Sequence, residues 1–193
     1  MERGAYIIRN YKEDYLKKYL IPGIIFLVLT VLCILKCGVT VLCLRNLIFL
    51  GCLFYLTLSD LKSYTIPDGC LLISVIAWGA SIPFAFPEYG GWNGILFHLL
   101  AAAVYGGGTL FLSLLIDGIL KKESLGGGDI KLFAVMGLYL GMNDSLYAVL
   151  LACLLALAFM ALCRKKLRRT GGILPFGPAI AVATWWMLLY DFV

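Results

Sequence analysis

The chain has 193 residues, of which 62% are hydrophobic and only 14% are charged. Soluble domains are typically about a quarter charged, so this composition excludes an ordinary water-soluble protein. The net charge of +5 does not predict nucleic-acid binding, because membrane topology and contact with anionic lipid explain the basic residues. We interpret the chain as an all-α polytopic membrane protein with a single bundle of about seven transmembrane helices.

Seven apolar stretches follow one another, and a helix needs ~20 residues to cross a bilayer. Residues 1–19 are polar and predict a cytoplasmic N-terminal segment, whereas residues 20–193 predict one transmembrane domain. Three consecutive glycines, 106–108, predict a close approach of another helix to the fourth span. The predicted spans are 20–35, 46–59, 69–86, 94–116, 130–141, 146–162 and 173–190.

Positive charge is distributed unevenly over the predicted loops. One side of the membrane carries fourteen of the sixteen Lys and Arg residues, whereas the other side has only Lys36 and Arg45. The positive-inside rule places the richer side in the cytoplasm, and we expect Asp60 and Asp129 at cytoplasmic helix ends in the cell membrane. The richer side comprises the N-terminal segment, loops 60–68, 117–130 and 164–172, and Lys131 at a boundary.

The seven cysteines and the single histidine do not form a recognisable ligand set. No two cysteines have the C-x-x-C spacing that is typical of metal and redox sites, and most lie in apolar spans, where cysteine acts as a small hydrophobe. His98 stands on an apolar stretch and is interpreted as a packed or capped side chain. We therefore expect no metal and no cofactor.

The stretch SLGGGDIKLF, residues 124–133, places three glycines before a carboxylate and an apolar helix. Glycine leaves no side chain between the backbone and a partner, so the triplet can admit a peptide beside Asp129. A carboxylate at the mouth of an apolar span is costly and usually functional. A second one, Asp60, ends the second predicted span, and the two are expected to meet.

Two carboxylates on separate helices can divide the roles of acid and base. Repulsion and burial make them titrate as a coupled pair, so one accepts a proton from water while the other donates a proton to a leaving amine. This is the chemistry of an aspartic protease. The structural alternative is that Asp60 and Asp129 only cap helices or pair with Lys62 and Lys131.

The segment DLKSYTIPD, residues 60–68, followed by GGGDIK, residues 126–131, resembles the motifs of the type IV prepilin peptidase family. In these membrane aspartic endopeptidases one aspartate leads an I-P-acidic/Asn motif and the other lies in GxGD; a late stretch is similar to PFGP, residues 175–178. The resemblance covers about residues 45–185. It implies Asp60 and Asp129 as the catalytic pair. It also implies, as substrate-binding or supporting residues, Lys62, Asp68, Gly126, Gly127, Gly128 and Lys131.

The resemblance implies removal of a short leader at the cytoplasmic face from a type IV prepilin, a pseudopilin, a competence pilin or an archaeal-type filament protein. The apolar part of the substrate would lie along the bundle as a transmembrane helix. Long bacterial members also carry an insert with two C-x-x-C pairs and N-methylate the new N-terminus. This sequence has no such pairs, so it resembles the short form, and we expect no methyltransferase activity.

Two other functions are compatible with paired membrane aspartates. A protease of the presenilin or signal-peptide-peptidase kind also uses GxGD, and Pro178-Ala179-Ile180 is faintly similar to its PAL motif. There the first aspartate follows a tyrosine, whereas Ser59 precedes Asp60 here, and the cut would fall inside the substrate span. A proton- or cation-coupled transporter would need carboxylates near mid-membrane and repeat symmetry, and the sequence has no convincing internal repeat.

Overall fold

The structure is a computed structural model, and within the residues that it describes it contains α-helices and turns but no β-strand. The all-α fold class predicted from the sequence is therefore confirmed. The predicted N-terminal segment 1–19, the basic run 164–169 and the start of the seventh predicted span lie outside the described residues. The described residues are 23–24, 26–28, 30–35, 38, 40–63, 65–121, 125–162 and 176–190.

In the described part of the chain, a short apolar helix over Phe26–Leu35 is followed by five longer helices. By length and composition three of them, α1, α3 and α4, could cross a membrane. Helices α1 and α3 each exceed the ~20 residues that a bilayer core requires, whereas the length of α4 includes two halves that meet at a kink. The chain is thus a polytopic membrane protein. The helices are α1, Val41–Ser63; α2, Asp68–Ser81; α3, Gly91–Leu120; α4, Gly127–Leu162; and α5, Gly177–Tyr190.

Helix α4 is divided at Gly141, where φ is 74° and ψ is −167°, a backbone conformation that essentially only glycine adopts. The chain reverses its direction there. This follows from the positions of Asp129, near the start of α4, and Ala156, near its end, which both lie at the Asp60 end of α1. The halves of α4 correspond to the fifth and sixth predicted spans. The predicted link between these spans, residues 142–145, is replaced by a turn at one residue, Gly141. The described residues contain seven helical segments when the halves are counted separately.

Helix α3 lies against the first half of α4 through small residues. A Cβ atom added to Gly106 would lie 2.6 Å from the Cβ of Ala134, whereas Gly107 and Gly108 face open space. Close approach of this kind stabilises helix pairs in membranes, where van der Waals packing drives association. The predicted role of the glycine triplet is therefore confirmed at Gly106 and is wrong for the other two glycines.

The interior of the bundle is an apolar cluster, and its outer surface is also apolar. Phe49, Leu132, Met136 and Ile180 are fully buried in the cluster, whereas the outer faces of α3 and α4 carry exposed leucine and phenylalanine side chains. Such a surface would promote aggregation in water. It is the expected surface of a bundle whose helices satisfy their own backbone groups inside a bilayer.

The ends of α1 differ from the prediction. The helix begins at Val41, and it continues past Asp60 to Ser63, so Asp60 lies inside the last turn rather than at the end of the helix. The hydroxyl of Ser63 donates a hydrogen bond to the carbonyl oxygen of Ser59 at 2.9 Å. A serine bond to the carbonyl four residues earlier is one that a helix accommodates.

Two other boundaries also differ from the prediction. Helix α3 continues through Asp117 to Leu120, because the Asp117 carboxylate accepts a hydrogen bond from Ser113 at 3.3 Å and is partnered within the helix. Helix α2 ends at Ser81, whereas the third span was predicted to reach residue 86. Ile82 still has helical dihedral angles, but Pro83 has no amide hydrogen to continue the hydrogen-bond pattern of the helix.

Arg45 was predicted in an outer loop, but it lies in α1 and is only 7% exposed. Its guanidinium donates to the Tyr89 hydroxyl at 2.6 Å and to Asn46 Oδ1 at 3.0 and 2.7 Å. The rings of Tyr89 and Tyr139 flank it, with centroids 5.5 and 5.0 Å from the guanidinium carbon. A buried cation needs hydrogen-bonded neighbours, and the aromatic faces add cation–π attraction.

His98 packs where α3 meets the kink in α4. Its Nδ1 lies 3.0 Å from the Leu138 carbonyl oxygen, and its ring meets the Tyr89 ring edge-on with centroids 5.6 Å apart. A Cβ atom added to Gly141 would lie 3.4 Å from its Cε1. The prediction of a packed histidine is therefore confirmed.

Replacing Gly106 by alanine is expected to destabilise the bundle, because the new methyl group would overlap Ala134. Overpacking costs about 1–3 kcal/mol, and alanine favours a helix over glycine by only ~1 kcal/mol. Gly107→Ala is the matched control, since it gains the same helix propensity in open space and should unfold at a slightly higher temperature than the wild type. Thermal unfolding in detergent measures both variants, and equal midpoints would contradict the Gly106 contact.

Candidate active site

Asp60 is a buried carboxylate in the last turn of an apolar helix. It is 5% exposed, and its Oδ2 accepts a 2.9 Å hydrogen bond from the backbone N–H of Gly177, which is the first residue of α5. A helix N-terminus presents free amide donors and a partial positive charge. Helix α5 therefore stabilises a negative charge on the carboxylate that α1 supplies.

Gly177 permits this contact because it has no side chain. A Cβ atom at this position would lie 2.7 Å from Oδ2 and 3.2 Å from Cγ of Asp60. The sequence analysis noted PFGP only as part of a family resemblance and assigned no role to Gly177. The signal that could have identified it is a glycine before Pro178 at the start of an apolar span, where proline favours the first turn of a helix.

Asp129 is the third residue of α4 and is half-buried. Its Oδ1 atom is shielded from solvent and has no hydrogen-bond partner among the described residues. The carboxyls of Asp129 and Asp60 are close enough for their charges to interact. Buried carboxylate oxygens usually have partners, so this oxygen is available for a hydrogen bond to a reacting molecule.

The glycines before Asp129 start the helix and bring it against the loop that follows α1. The backbone N–H groups of Asp129 and Ile130 donate to the Gly126 carbonyl oxygen at 3.0 and 3.3 Å. A Cβ atom added to Gly128 would lie 2.7 Å from the Cβ of Ile66. The segments 60–68 and 126–131 are therefore in direct contact. Gly127 is exposed, with no atom within 4 Å of an added Cβ.

Hydroxyl groups shape the loop that returns Ile66 to α4. The hydroxyl of Ser59 donates to the Thr65 carbonyl oxygen at 3.0 Å. The hydroxyls of Ser63 and Thr65 lie 2.8 Å apart, within hydrogen-bond distance. Serine and threonine side chains hold such turns because their oxygens replace backbone partners. The loop thus places Ile66 beside Gly128, the residue that directly precedes Asp129.

An ion pair joins the same two segments at the surface. The Nζ of Lys131 lies 2.7 Å from Oδ1 of Asp68, and both side chains are mostly exposed. Exposed pairs of this kind contribute about 0–1 kcal/mol, so this one orients the segments more than it stabilises them. Lys131 therefore pairs with Asp68 instead of Asp129, contrary to the structural alternative.

The remaining predicted site residue, Lys62, stands apart from the aspartates. It is exposed in the last turn of α1, and in the described part of the chain it forms no hydrogen bond or ion pair with either aspartate. The structural alternative in which the aspartates pair with neighbouring lysines is therefore not observed. Asp60 does cap a helix, but that helix is α5, on a distant part of the chain.

Three separate stretches of the chain thus meet at one end of the bundle. They are the end of α1 with its loop, the start of α4 and the start of α5. The arrangement supplies two interacting carboxyl groups and a glycine-rich backbone without side chains in front of one of them. Such a pair can perform acid–base chemistry on a molecule that approaches this end. Among the described residues no three His, Cys, Asp or Glu side chains form a metal-binding group.

Residues 47–161 match the type IV leader peptidase family. The prepilin leader peptidase/N-methyltransferase of Pseudomonas aeruginosa is 28% identical over 139 residues, which are 72% of this chain and 46% of the relative. The protein of the same name from Bacillus subtilis is 28% identical over 160 residues, 81% of this chain and 59% of the relative. The one from Aeromonas hydrophila is 37% identical over 115 residues, 51% of this chain and 38% of the relative.

No solved structure matches the chain. The chain spans about half the length of the curated relatives it matches. The matched region, residues 47–161, covers more than half of the chain and contains both Asp60 and Asp129. The chain therefore belongs to the type IV leader peptidase family, as the resemblance of its two aspartate motifs predicts.

Proposed function

We propose that this protein is a membrane aspartic endopeptidase that removes the short leader from type IV prepilins or pilin-like proteins. The observation that carries the proposal is the meeting of Asp60 and Asp129, from separate helices, at one end of an apolar bundle. Two carboxylates with only structural roles would be expected to lie apart, because like charges at close range repel each other. The names of the relatives, prepilin leader peptidases, supply the substrate class.

The reaction uses the two carboxyl groups as one unit. The ionised member takes a proton from a water molecule, and the water oxygen attacks the carbonyl carbon of the leader peptide bond. The protonated member donates its proton to the leaving nitrogen, so the bond between carbon and nitrogen breaks without a covalent enzyme intermediate. Close carboxyls share a proton in this way because both cannot ionise freely.

The segment before Asp129 is where the extended peptide would enter. Gly126 and Gly127 are exposed, and a peptide could pair with their backbone as an added strand pairs with a free edge. Gly128 faces Ile66 instead, so it holds the segment in position. Gly126 and Gly127 would thus admit the peptide, and Gly128 would hold the backbone that orients Asp129.

The active end is assigned to the cytoplasmic face of the cell membrane. Lys62, Lys121 and Lys131 are exposed near this end of the helices, and the positive-inside rule favours the cytoplasm for such residues. The transporter alternative is less well supported, because Asp60 and Asp129 lie in a last and a first helical turn rather than near mid-helix. A presenilin-like protease differs in cutting within the substrate span.

The Asp60→Asn and Asp129→Asn variants should each lose activity on a type IV prepilin by at least about a hundredfold, because general acid–base catalysis contributes about 10²–10⁴-fold. Asparagine keeps the shape of the side chain and removes its acid chemistry. The assay is cleavage of the purified prepilin in liposomes, with the product identified by mass spectrometry. We expect a cut at the cytoplasmic boundary and an unmethylated new N-terminus, since the sequence has no C-x-x-C pair.

The matched control is Asp144→Asn, because Asp144 is half-buried in the second half of α4 close to Gly141, away from the paired carboxyls. It should cleave as the wild type does. A folded Asp60 or Asp129 variant with normal activity would disprove the proposed role of that residue. A wild-type protein that cuts no prepilin would disprove the assigned substrate.

Gly128→Ala should lower the rate of prepilin cleavage while the protein remains folded. The added methyl group meets Ile66 at 2.7 Å, and a shift of about 1 Å in a catalytic group can cost about a hundredfold in rate. Gly118→Ala in α3 is the control, because an added Cβ there has no atom within 4 Å. Steady-state cleavage rates and the thermal midpoint of each variant are the measurements, and an unchanged rate for Gly128→Ala would exclude this contact from positioning Asp129.

A further inference from the structure

An apolar groove of about 300 Å³ lies between the end of α1, the second half of α4 and the start of α5. Its walls are apolar throughout. Phe159 and Val182 on its rim are 43% and 50% exposed on the outer surface of the bundle. The groove is lined by Leu61, Leu155, Phe159, Pro178, Val182 and two alanines.

Two residues that line the groove are adjacent in the chain to Asp60 and to its hydrogen-bond partner. Leu61 directly follows Asp60, and Pro178 directly follows Gly177, whose amide donates to Asp60. A side chain seated in the groove would therefore contact residues that are adjacent in the chain to Asp60 and to the amide that binds it. The apolar faces of α3, around Phe111 for example, have no such connection to a catalytic group.

We propose that this groove holds apolar side chains of the substrate's membrane-spanning segment, next to the peptide bond that is cut. The inference rests on the proposed function and adds to it the face of the bundle on which the substrate helix docks. The substrate has to place its scissile bond at Asp60 and Asp129 while its apolar segment stays in the membrane. An apolar concavity that begins at Leu61 meets both requirements.

The size and openness of the groove determine how the substrate fits. A volume of about 300 Å³ is at the lower end for ligand pockets, about 300–1,000 Å³, and suits large side chains rather than an entire helix. The rest of the substrate helix would then pack on the exposed rim formed by Phe159 and Val182. Lipid chains are as apolar as these residues, so selectivity comes from shape and packing rather than from the hydrophobic effect.

The test fills the groove and compares two substrates. Val182→Trp should raise KM by about tenfold, with kcat unchanged, for a type IV prepilin that retains its leader and apolar segment, as expected for lost uniform binding. A soluble peptide that ends before the apolar segment should be cleaved equally by the variant and the wild type. Val104→Trp is the matched control, because Val104 is a valine of α3 that is 42% exposed. This variant should change neither KM nor kcat for the prepilin.

A second measurement does not depend on tolerance of the tryptophan. A photo-crosslinking amino acid at position 159, in the inactive Asp129→Asn protein, should capture the prepilin. The same amino acid at position 111 is the control, because Phe111 is an exposed phenylalanine of α3.

The outcomes separate this inference from the proposed function. An unchanged KM for Val182→Trp, equal capture at positions 159 and 111, or crosslinks only to lipid or to residues 163–175 of the same chain would overturn the groove while wild-type cleavage persists. Absence of cleavage by the wild type would overturn both.

Discussion

The hydrogen bond from the Gly177 amide to Asp60 is the contact on which the site depends. A carboxylate in the last turn of α1 lies at the negative end of its own helix dipole, in surroundings where an unpaired charge is costly. The start of α5, 117 residues later in the chain, supplies the opposite end of a helix dipole and an amide donor. The buried position of Asp60 is therefore a property of the folded bundle and not of α1 alone.

The charged side chains at the two ends of the bundle are partnered differently. Arg45, at the other end of α1, is enclosed by Asn46, Tyr89 and Tyr139, and its guanidinium is hydrogen-bonded to both of the first two. The Asn46 amide nitrogen has no hydrogen-bond partner among the described residues, but the buried charge itself, on Arg45, is hydrogen-bonded and stacked between rings. Asp129 instead keeps an oxygen of its own carboxyl buried and without a partner among the described residues. The charged group at one end of the bundle is thus satisfied by the protein, whereas the one at the other end can still accept a hydrogen bond.

The sequence was informative where the signal is local. The apolar runs predicted the helices, since the length of a run is read directly, and Asp60 and Asp129 stood out because carboxylates are rare in such runs. The buried Arg45, the one-residue turn at Gly141 and the Gly177 contact could not be predicted. Each depends on neighbours brought together only by folding: aromatic rings from other helices, the halves of α4, and the approach of α5 to α1.

Missing side chains determine how closely the parts of the site approach one another. Gly177 allows the amide of α5 to reach Asp60, and Gly128 allows the segment before Asp129 to touch Ile66. A methyl group at either position would push apart two elements, one of which carries Asp60 or Asp129, the pair that we propose as catalytic. Because the interaction between the two charges weakens with distance, that displacement would uncouple the pair. Through the spacing of the backbone the glycines therefore set the distance between the two carboxyls on which the proposed chemistry depends, although they would take no part in proton transfer themselves.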